Sequence, residues 1–585
     1  EAWKADGRAE ISLADLMEWD LTTLDGVLDE VIADRRTLTQ LQDEVDDAAV
    51  PASWRGDAAN EAAKRHIELR EDLADVIAEL SLIAESIRIE HGALKRAQQE
   101  AQFAIDHARA NEFSVRLSDG MVMDHALGPF EPHELEDRYR ILDEIIERLN
   151  GALRSAGDAD ADLAAALDKV RSGVVDGGSG SFHDASNRGK GLADDAVLAP
   201  PPGGSANEMS SWWEGLSPQE QDQVIADNPD WIRNVDGIPA TARDEANREV
   251  LPDLLDDARR EVEEAEAAFL ESAGSGGDYS YDRTEQAAAG AALAAARERL
   301  ADLEAVQDTL DLPGQRQLLL LDTTSGVQVR AAIAHGNVDT ADHVSVFTPG
   351  FTTTVRDGLA GYDEDMKDLK RESERSAQMY GDGGSVATIA WLGYDAPQWD
   401  GVVSFDGSSV ASTARAQEGG AMLAGFVNGI DSSRQSDPHL TALGHSYGST
   451  TMSFALREST GIDSAVIFGS PGLATDDVGD FDLPPGELFR LEAKNDAVAD
   501  LGTNGPLGMD PTWVNGIEGL STHQTEIDGA THSEVTGHSD YLNQDSTSQH
   551  NIGVIVSGSD RDRLVHDDGR GLGDILTFPI RMPWD

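Results

Sequence analysis

Apolar residues in the first third of the chain recur at helical spacing. Leu24, Leu28, Val31, Leu38 and Val45 form one series, and Leu73, Val76, Leu80, Ile83, Ile87 and Leu94 a second. Each draws a narrow apolar seam on a helix whose other faces are charged, which predicts two helices packed antiparallel as a hairpin. Between them lies Val50-Pro51-Ala52-Ser53-Trp54-Arg55-Gly56-Asp57-Ala58-Ala59, where Pro51 stops the first helix and Gly56 permits the bend. Phe113 to Met123 suits a small β-hairpin around Ser118-Asp119-Gly120. Helix resumes near Glu134 and runs, with a break about Gly157, to Val170.

Residues 173–207 turn Gly-, Ser-, Asp- and Pro-rich and end Ala199-Pro200-Pro201-Pro202-Gly203-Gly204. That composition predicts a flexible linker and a domain boundary. Ser217-Pro218-Gln219-Glu220 has the N-cap serine, proline and acid of a capping box, so a helix starts there. Residues 254–272 and 284–311 predict a further helical pair. From Gln317 the period changes. Apolar runs at Leu318–Leu321, Val327–Ile333, Val344–Phe347, Val386–Trp391, Leu440–Leu443, Ala465–Phe468, Leu488–Leu491 and Gln524–Ile527 predict eight strands. The first two form an antiparallel hairpin and the rest alternate with helices, which describes an α/β sheet.

Charge narrows the partners. Of 585 residues, 45 are Lys or Arg and 109 Asp or Glu, a formal net charge of −64. Such a surplus repels phosphate and anionic head groups and argues against a nucleic-acid or membrane-surface reader. Cysteine is absent, which removes disulfides, thiolate metal sites and cysteine nucleophiles. No apolar run is long enough for a transmembrane helix. Glu1 to Glu10 lack the basic-then-apolar order of a cleavable signal, so export would need another route.

The candidate chemistry lies in the α/β part. Strand Leu440–Leu443 ends in Gly444-His445-Ser446-Tyr447-Gly448, and a helix follows. At a strand-to-helix turn the two glycines let the backbone bend so sharply that the serine hydroxyl projects. A serine needs a base, and histidine is suited to take its proton near neutrality. In the order serine, acid, histidine, Asp496 follows the seventh strand, with Asp500 as rival. His538, in a glycine-led loop before the last helix, is preferred to His532, His523 and His550. No two of these histidines show zinc-pair spacing, so no metal is expected. The backbone amides of Tyr447 and of Phe351, in Thr348-Pro349-Gly350-Phe351, are the candidate oxyanion hole. Trp212, Trp213 and Trp231 are either core aromatics or an apolar substrate wall.

Two resemblances extend this reading. Trp54-x-Gly56 followed by Ala58 and Ala59, in the turn of a helical hairpin, resembles the WxG family of type VII secretion substrates. That resemblance implies pairing of helical hairpins and export without a cleavable signal. Gly444-His445-Ser446-Tyr447-Gly448-Ser449, Trp391-Leu392-Gly393-Tyr394-Asp395-Ala396-Pro397 and Thr348-Pro349-Gly350 recur with Trp212-Trp213, Asn228-Pro229 and the run Asp236 to Arg248. Together they resemble an actinobacterial α/β-hydrolase family with this elbow, over about residues 208–558. The resemblance implies a Ser-Asp-His hydrolase. The first half of this signature, Trp212-Trp213, Asn228-Pro229 and the run Asp236 to Arg248, supplies no triad member and is expected to cap the sheet edge.

The expected architecture is therefore a helical hairpin at 1–110 and a helical extension with the β-hairpin at 111–172. A linker at 173–207, a helical cap at 208–312, an α/β-hydrolase core at 313–558 and a tail at 559–585 complete it. The expected function is cleavage of an ester-type, small or lipid-like acyl substrate through Ser446, His538 and Asp496, with no cofactor. The alternative is a secreted interaction protein whose hydrolase fold is a scaffold. Its partner would be a WxG-type helical protein or a second copy, and a cytoplasmic location is the alternative to secretion.

Overall fold

The computed structural model describes residues 11–567 apart from 52, 119, 127–131, 194–199, 202, 217, 275–280, 399–412, 435, 497 and 500–506. The chain divides into two compact units, one of residues 1–129 with 138–224 and one of 130–137 with 225–585. Among the described residues no helix is long and apolar enough to cross a membrane.

The first unit is helical. In order it contains α1 (Leu13–Glu18), α2 (Thr22–Gln40), α3 (Gln42–Asp47), α4 (Asp57–Ala110), the strands β1 (Phe113–Arg116) and β2 (Met121–Asp124), α5 (Pro132–Arg171), α6 (Phe182–Gly191), α7 (Ala206–Gly215) and α8 (Pro218–Asp227). The hairpin expected from the two seams is present, as α2 packs on α4 across the turn at Gly56, whose φ is 106°. The buried line of α4 differs from the expected one. It runs through Ala74, Ile77, Ala78 and Leu82, while Val76 is exposed. A third helix of the same chain explains the lower part of α4: Leu94, Ala97, Ala101 and Ala104 pack against Ile145, Leu149, Ala152 and Ala156 of α5. Alanines carry this seam because they let helix backbones approach closely, and alanine is invisible to a search for large apolar residues. β1 and β2 pair antiparallel as expected.

The linker expected at 173–207 is corrected. Residues 182–191 form α6, opened by a capping box between Ser181 and Asp184. Phe182 and Ala185 are fully buried against Ala74 and Ile77 of α4. Glycine is required here for approach: a Cβ on Gly189 would stand 2.0 Å from the Ala78 carbonyl oxygen. The composition that reads as flexible is that of a short helix pressed onto a long one. Helix α8 starts at Pro218 as expected, although Ser217 itself lies outside the described residues.

The second unit contains α9 (Ala240–Gly274), α10 (Tyr281–Asp311), β3 (Arg316–Asp322), β4 (Arg330–His335), β5 (His343–Thr348), α11 (Val355–Tyr380), β6 (Val386–Leu392), α12 (Ala414–Ser432), β7 (His439–His445), α13 (Tyr447–Ala455), β8 (Ser464–Phe468), β9 (Leu488–Leu491), β10 (Glu518–Leu520), β11 (Thr525–Ile527), β12 (Ala530–His532) and α14 (Thr547–Val556). Eight strands form one sheet in the order β10-β9-β8-β7-β5-β6-β4-β3. β3 and β4 pair antiparallel, as do β4 and β6, and every other neighbour is parallel. The central strands are buried along their whole length, because helices cover both faces: α9, α10, α11 and α14 one, α12 and α13 the other. This is why they read as unbroken apolar runs.

One strand is corrected. The eighth member of the sheet is Glu518–Leu520, whereas Thr525–Ile527 pairs with Ala530–His532 in a separate hairpin. Asp528 and Gly529 both hold positive φ in that turn, 51° and 82°, the geometry of a two-residue hairpin loop. Three residues with one buried leucine are too short a strand to show a period.

Asn234, Asp244 and Asn247 cover the edge of the sheet at β3. β3 is an outer strand, and its free backbone groups bond to side chains that precede it. Asp244 accepts from the Leu318 amide at 2.7 Å, and Asn247 donates to the Leu318 carbonyl at 3.0 Å. Asn234 both accepts from the Leu321 amide and donates to its carbonyl, each at 2.9 Å. Side chains thus complete the ladder that a ninth strand would otherwise be free to join.

Candidate active site

β7 runs into Ser446, and α13 starts at the next residue. Ser446 holds φ 54° and ψ −130°, a conformation that L-residues keep only when their surroundings enforce it. Two close approaches do so. A Cβ on Gly448 would lie 2.1 Å from the Thr348 carbonyl oxygen, and one on Gly444 2.7 Å from Ser449 Cα. Only glycine at both positions lets the helix start this close to β5. The Ser446 amide is tied to the Phe468 carbonyl of β8 at 3.1 Å.

Asp496 stands just beyond the end of β9, after Asn495 turns the chain at φ 63°. It is 1% exposed. His538 Nδ1 contacts its two carboxylate oxygens at 2.9 and 3.1 Å. Tyr541 donates its hydroxyl to Oδ2 at 2.6 Å, and the amides of Val498 and Ala499 donate to Oδ1 at 3.0 and 3.2 Å. Burial raises the pKa of Asp496, but the bonds from His538, Tyr541 and Ala499 outweigh it and hold the carboxyl below its ordinary value. It is a carboxylate whose partner ring is fixed with Nδ1 protonated.

The loop of His538 is clipped to the loop of Asp496, since the Gly537 amide donates to the Lys494 carbonyl at 2.9 Å. His538 also touches the elbow. Its ring centroid is 4.6 Å from that of His445, and His445 Nε2 donates to the His538 carbonyl at 2.7 Å. Burial, first, and the neighbouring His538 push His445 down to about 4, so its ring is neutral and serves as a donor. A Cβ on Gly469 would meet Asp496 Oδ2 at 2.8 Å and His538 Nδ1 at 3.0 Å, so the residue after β8 forms the floor beneath the acid and the histidine. Among the described residues Ser446 Oγ makes no hydrogen bond to His538, a bond that such sites commonly tighten only with substrate present.

The rivals fall elsewhere. His532 is tilted against His550 at 5.3 Å, and His550 contacts Glu372 at 3.3 Å. His523 is largely exposed. Asp500 lies outside the described residues. The loop after β5 does lie against the serine: a Cβ on Gly350 would stand 2.6 Å from Ser446 Cβ and 3.0 Å from its Oγ. Gly350 and Tyr447 thus flank Ser446 on two sides.

The three tryptophans expected as core aromatics or a substrate wall take the following places. Trp213 is buried in the helical unit, and Trp212 lines a cavity of that same unit. Trp231 belongs to the turn before Arg233 and Asn234, which bond to Leu321 of β3. β3 is four strands from β7, about 19 Å at ~4.8 Å per strand. The residues missed by sequence reasoning are Tyr541 and His445. Tyr541 follows His538 by three residues and His445 precedes the serine, so both stood inside the motifs already singled out. Among the described residues no three His, Asp or Glu side chains gather as a metal site.

Residues 325–506 match the family described as alpha/beta hydrolase. The chain is 34% identical over 234 residues to the uncharacterized protein Rv0963c of Mycobacterium tuberculosis, covering 39% of this chain and 84% of that protein. The C-terminal part of the chain carries an alpha/beta hydrolase domain. A second relative, the uncharacterized protein Rv2079 of Mycobacterium tuberculosis, is 30% identical over 404 residues, or 66% of this chain. The chain spans 58% of that relative's length. Among solved structures, an esterase domain from Rhodothermus marinus aligns over 42% of this chain and 97% of its own, at 12% identity and a TM-score of 0.22. A hyperthermophilic esterase from Pyrobaculum calidifontis aligns over 37% of this chain and 59% of its own, at 12% identity and a TM-score of 0.19. The domain assignment rests on the family match over residues 325–506.

Proposed function

We propose that this alpha/beta hydrolase is a serine hydrolase acting on an ester-type, acyl or lipid-like substrate. The observation that carries the reading is the strained Ser446 at the end of β7 together with His538 held by the buried Asp496. In the reaction, His538 Nε2 takes the proton of Ser446 as Oγ attacks the carbonyl carbon. The negative oxygen of the tetrahedral intermediate is held by the amides of Phe351 and Tyr447. The C–O bond to the alcohol then breaks and His538 returns the proton to the departing oxygen. Water, activated by His538, adds to the acyl-enzyme, and the carboxylic acid leaves with Ser446 regenerated. Asp496 keeps the imidazole in the required tautomer throughout. No metal or organic cofactor takes part in these steps.

Turnover of a short-chain aryl ester by purified protein tests this reading. Ser446→Ala should abolish it, and Asp496→Asn should lower it about 10⁴-fold through the wrong imidazole tautomer. Full activity in Ser446→Ala, in a sample free of host esterases, would refute it.

A second reading draws on the helical unit. Trp54 is 51% exposed at the turn between α3 and α4, which supports a contact surface there for a WxG-type helical partner or a second copy. Secretion by a type VII-like route, without a cleavable signal, belongs to this second reading. Size-exclusion chromatography with light scattering of the wild-type chain against Trp54→Ala tests the contact. An unchanged monomer mass for both would remove self-association.

A further inference from the structure

Peptide planes are rigid, so holding one atom of a plane aims the others. The loop after β5, Thr348-Pro349-Gly350-Phe351-Thr352-Thr353, is held at three points by one segment, Tyr394 to Gln398, which follows β6. Tyr394 donates its hydroxyl to the Pro349 carbonyl at 2.8 Å. The Thr352 amide donates to the Pro397 carbonyl at 2.9 Å. Gln398 Nε2 donates to the Thr353 carbonyl at 3.2 Å and to the Ala396 carbonyl at 3.0 Å. Only Gly350 and Phe351 lie between the first two anchors, and Gly350 is the residue packed against Ser446.

The loop is bent into a shape that needs such anchors. Thr352 holds φ 62°, a region that β-branched residues avoid and keep only where the surroundings enforce it. The clamp is itself fixed. Tyr394 is 4% exposed, and its ring stacks on Trp391 with centroids 6.0 Å and planes 7° apart. The neighbouring Asp395 accepts from the amides of Val327 and Gln328 at 3.1 and 3.2 Å and from Arg330 at 3.1 Å. The Pro349 carbonyl also lies against the start of α13, since a Cβ on Gly448 would stand 2.6 Å from its oxygen. The Tyr394 hydroxyl, which Thr451 of α13 also meets, thus sits where the loop crosses the helix of the nucleophile.

We propose that Tyr394 is the positioning residue of the oxyanion hole, with Gln398 as its second support. Neither touches the substrate. By fixing the Pro349 carbonyl, Tyr394 aims the amides that follow it, those of Gly350 and Phe351, at the space beside Ser446 where negative charge develops. A loop without this anchor would have to reorganise each time the carbonyl carbon becomes tetrahedral. Core packing needs only the ring of Tyr394, whereas positioning needs its hydroxyl, and Tyr394→Phe separates the two. The inference rests on the serine-hydrolase reading and adds to it what holds the hole in shape.

The test pairs two readouts on the full chain. One is kcat/KM for a short-chain aryl ester, counted per Ser446 titrated with a fluorophosphonate. The other is the affinity of an alkylboronic acid, whose adduct with the serine carries the tetrahedral geometry and negative charge of the intermediate. Tyr394→Phe should lower kcat/KM about 10- to 100-fold, the range for a misplacement of up to ~1 Å, and weaken the boronic acid by the same factor. The acid limb of the pH–rate profile should stay at its wild-type position, because His538 and Asp496 keep their bonds. Tyr380→Phe, which removes a hydroxyl bonded to Asp528, should alter neither readout. Unchanged kcat/KM in Tyr394→Phe, or a loss that the boronic acid does not share, overturns the proposal and leaves the serine-hydrolase reading standing. A wild type that neither turns over the ester nor takes the label overturns that reading, and this inference with it. If Tyr394→Phe does not fold, Gln398→Ala should show the paired loss at about threefold to tenfold, the weight of one hydrogen bond. Equal values in Gln398→Ala and the wild type then overturn the proposal.

Discussion

Tyr541 donates its hydroxyl to Asp496 Oδ2 at 2.6 Å, and both residues are buried. The same phenol oxygen accepts from the Ala493 amide at 2.8 Å, so one side chain ties the acid to the end of β9. Burial and the Asp496 charge raise the phenol well above its ordinary value, which keeps it a donor at every working pH. Tyr541→Phe removes one donor from a buried carboxylate and lets its pKa rise. A hydrogen bond to a charged group contributes ~1.5–3 kcal/mol, so kcat/KM should fall about tenfold or more. The acid limb of the pH–rate profile should move to higher pH. A profile of unchanged shape would show that Tyr541 only fills space.

His445 makes stability depend on pH. Its folded value of about 4 lies below the ordinary histidine value of 6.5, so the unfolded chain binds the extra proton first. Its contribution is present above about 6.5 and is lost as the pH falls towards 4, a change on the order of 3 kcal/mol. His445→Phe keeps a ring against Phe468 and removes this dependence. Urea melts at pH 7 and pH 4.5 should show a smaller difference for the variant than for the wild type. Equal differences would contradict the burial of a neutral imidazole.

Most of the sheet was legible because its chemistry is local. Val344 to Phe347 and Ala465 to Phe468 lie in strands covered on both faces, so their apolar runs have no other reading. The elbow announces itself because only glycine fits at Gly444 and Gly448. Where tertiary packing overrides composition, reading failed. Residues 182–191 carry glycine and serine for close approach to α4, and that signal mimics a linker. β10 is held by its neighbour β9 and has no pattern of its own. His445 and Tyr541 act through contacts 93 and 45 residues apart in sequence, which spacing along the chain does not encode.

Helix α6 yields the next expectation. Phe182 is fully buried against α4, and truncation to alanine costs ~3–5 kcal/mol in such settings. Limited proteolysis should spare residues 182–191 in the wild type and cut there in Phe182→Ala. Rapid cleavage of the wild type at this segment would restore the linker reading.

The edge cap of β3 is testable through Asn247, which is fully buried and donates to the carbonyls of Leu318 and Arg233. Asn247→Ala strands two acceptors at a cost on the order of 2–4 kcal/mol and opens a sheet edge. The melting temperature should drop by about 5 °C or more, and light scattering should show association. A variant as stable and monodisperse as the wild type would mean that the capping bonds contribute nothing.

The central claim is that Ser446 is the nucleophile and that His538 activates it. A fluorophosphonate probe reacts covalently with such a serine, and peptide mapping by mass spectrometry locates the modified residue. The account predicts one label per chain on Ser446, none in Ser446→Ala, and labelling slowed about 10³-fold or more in His538→Ala. Labelling of another residue, or equal labelling of wild type and His538→Ala, would contradict it.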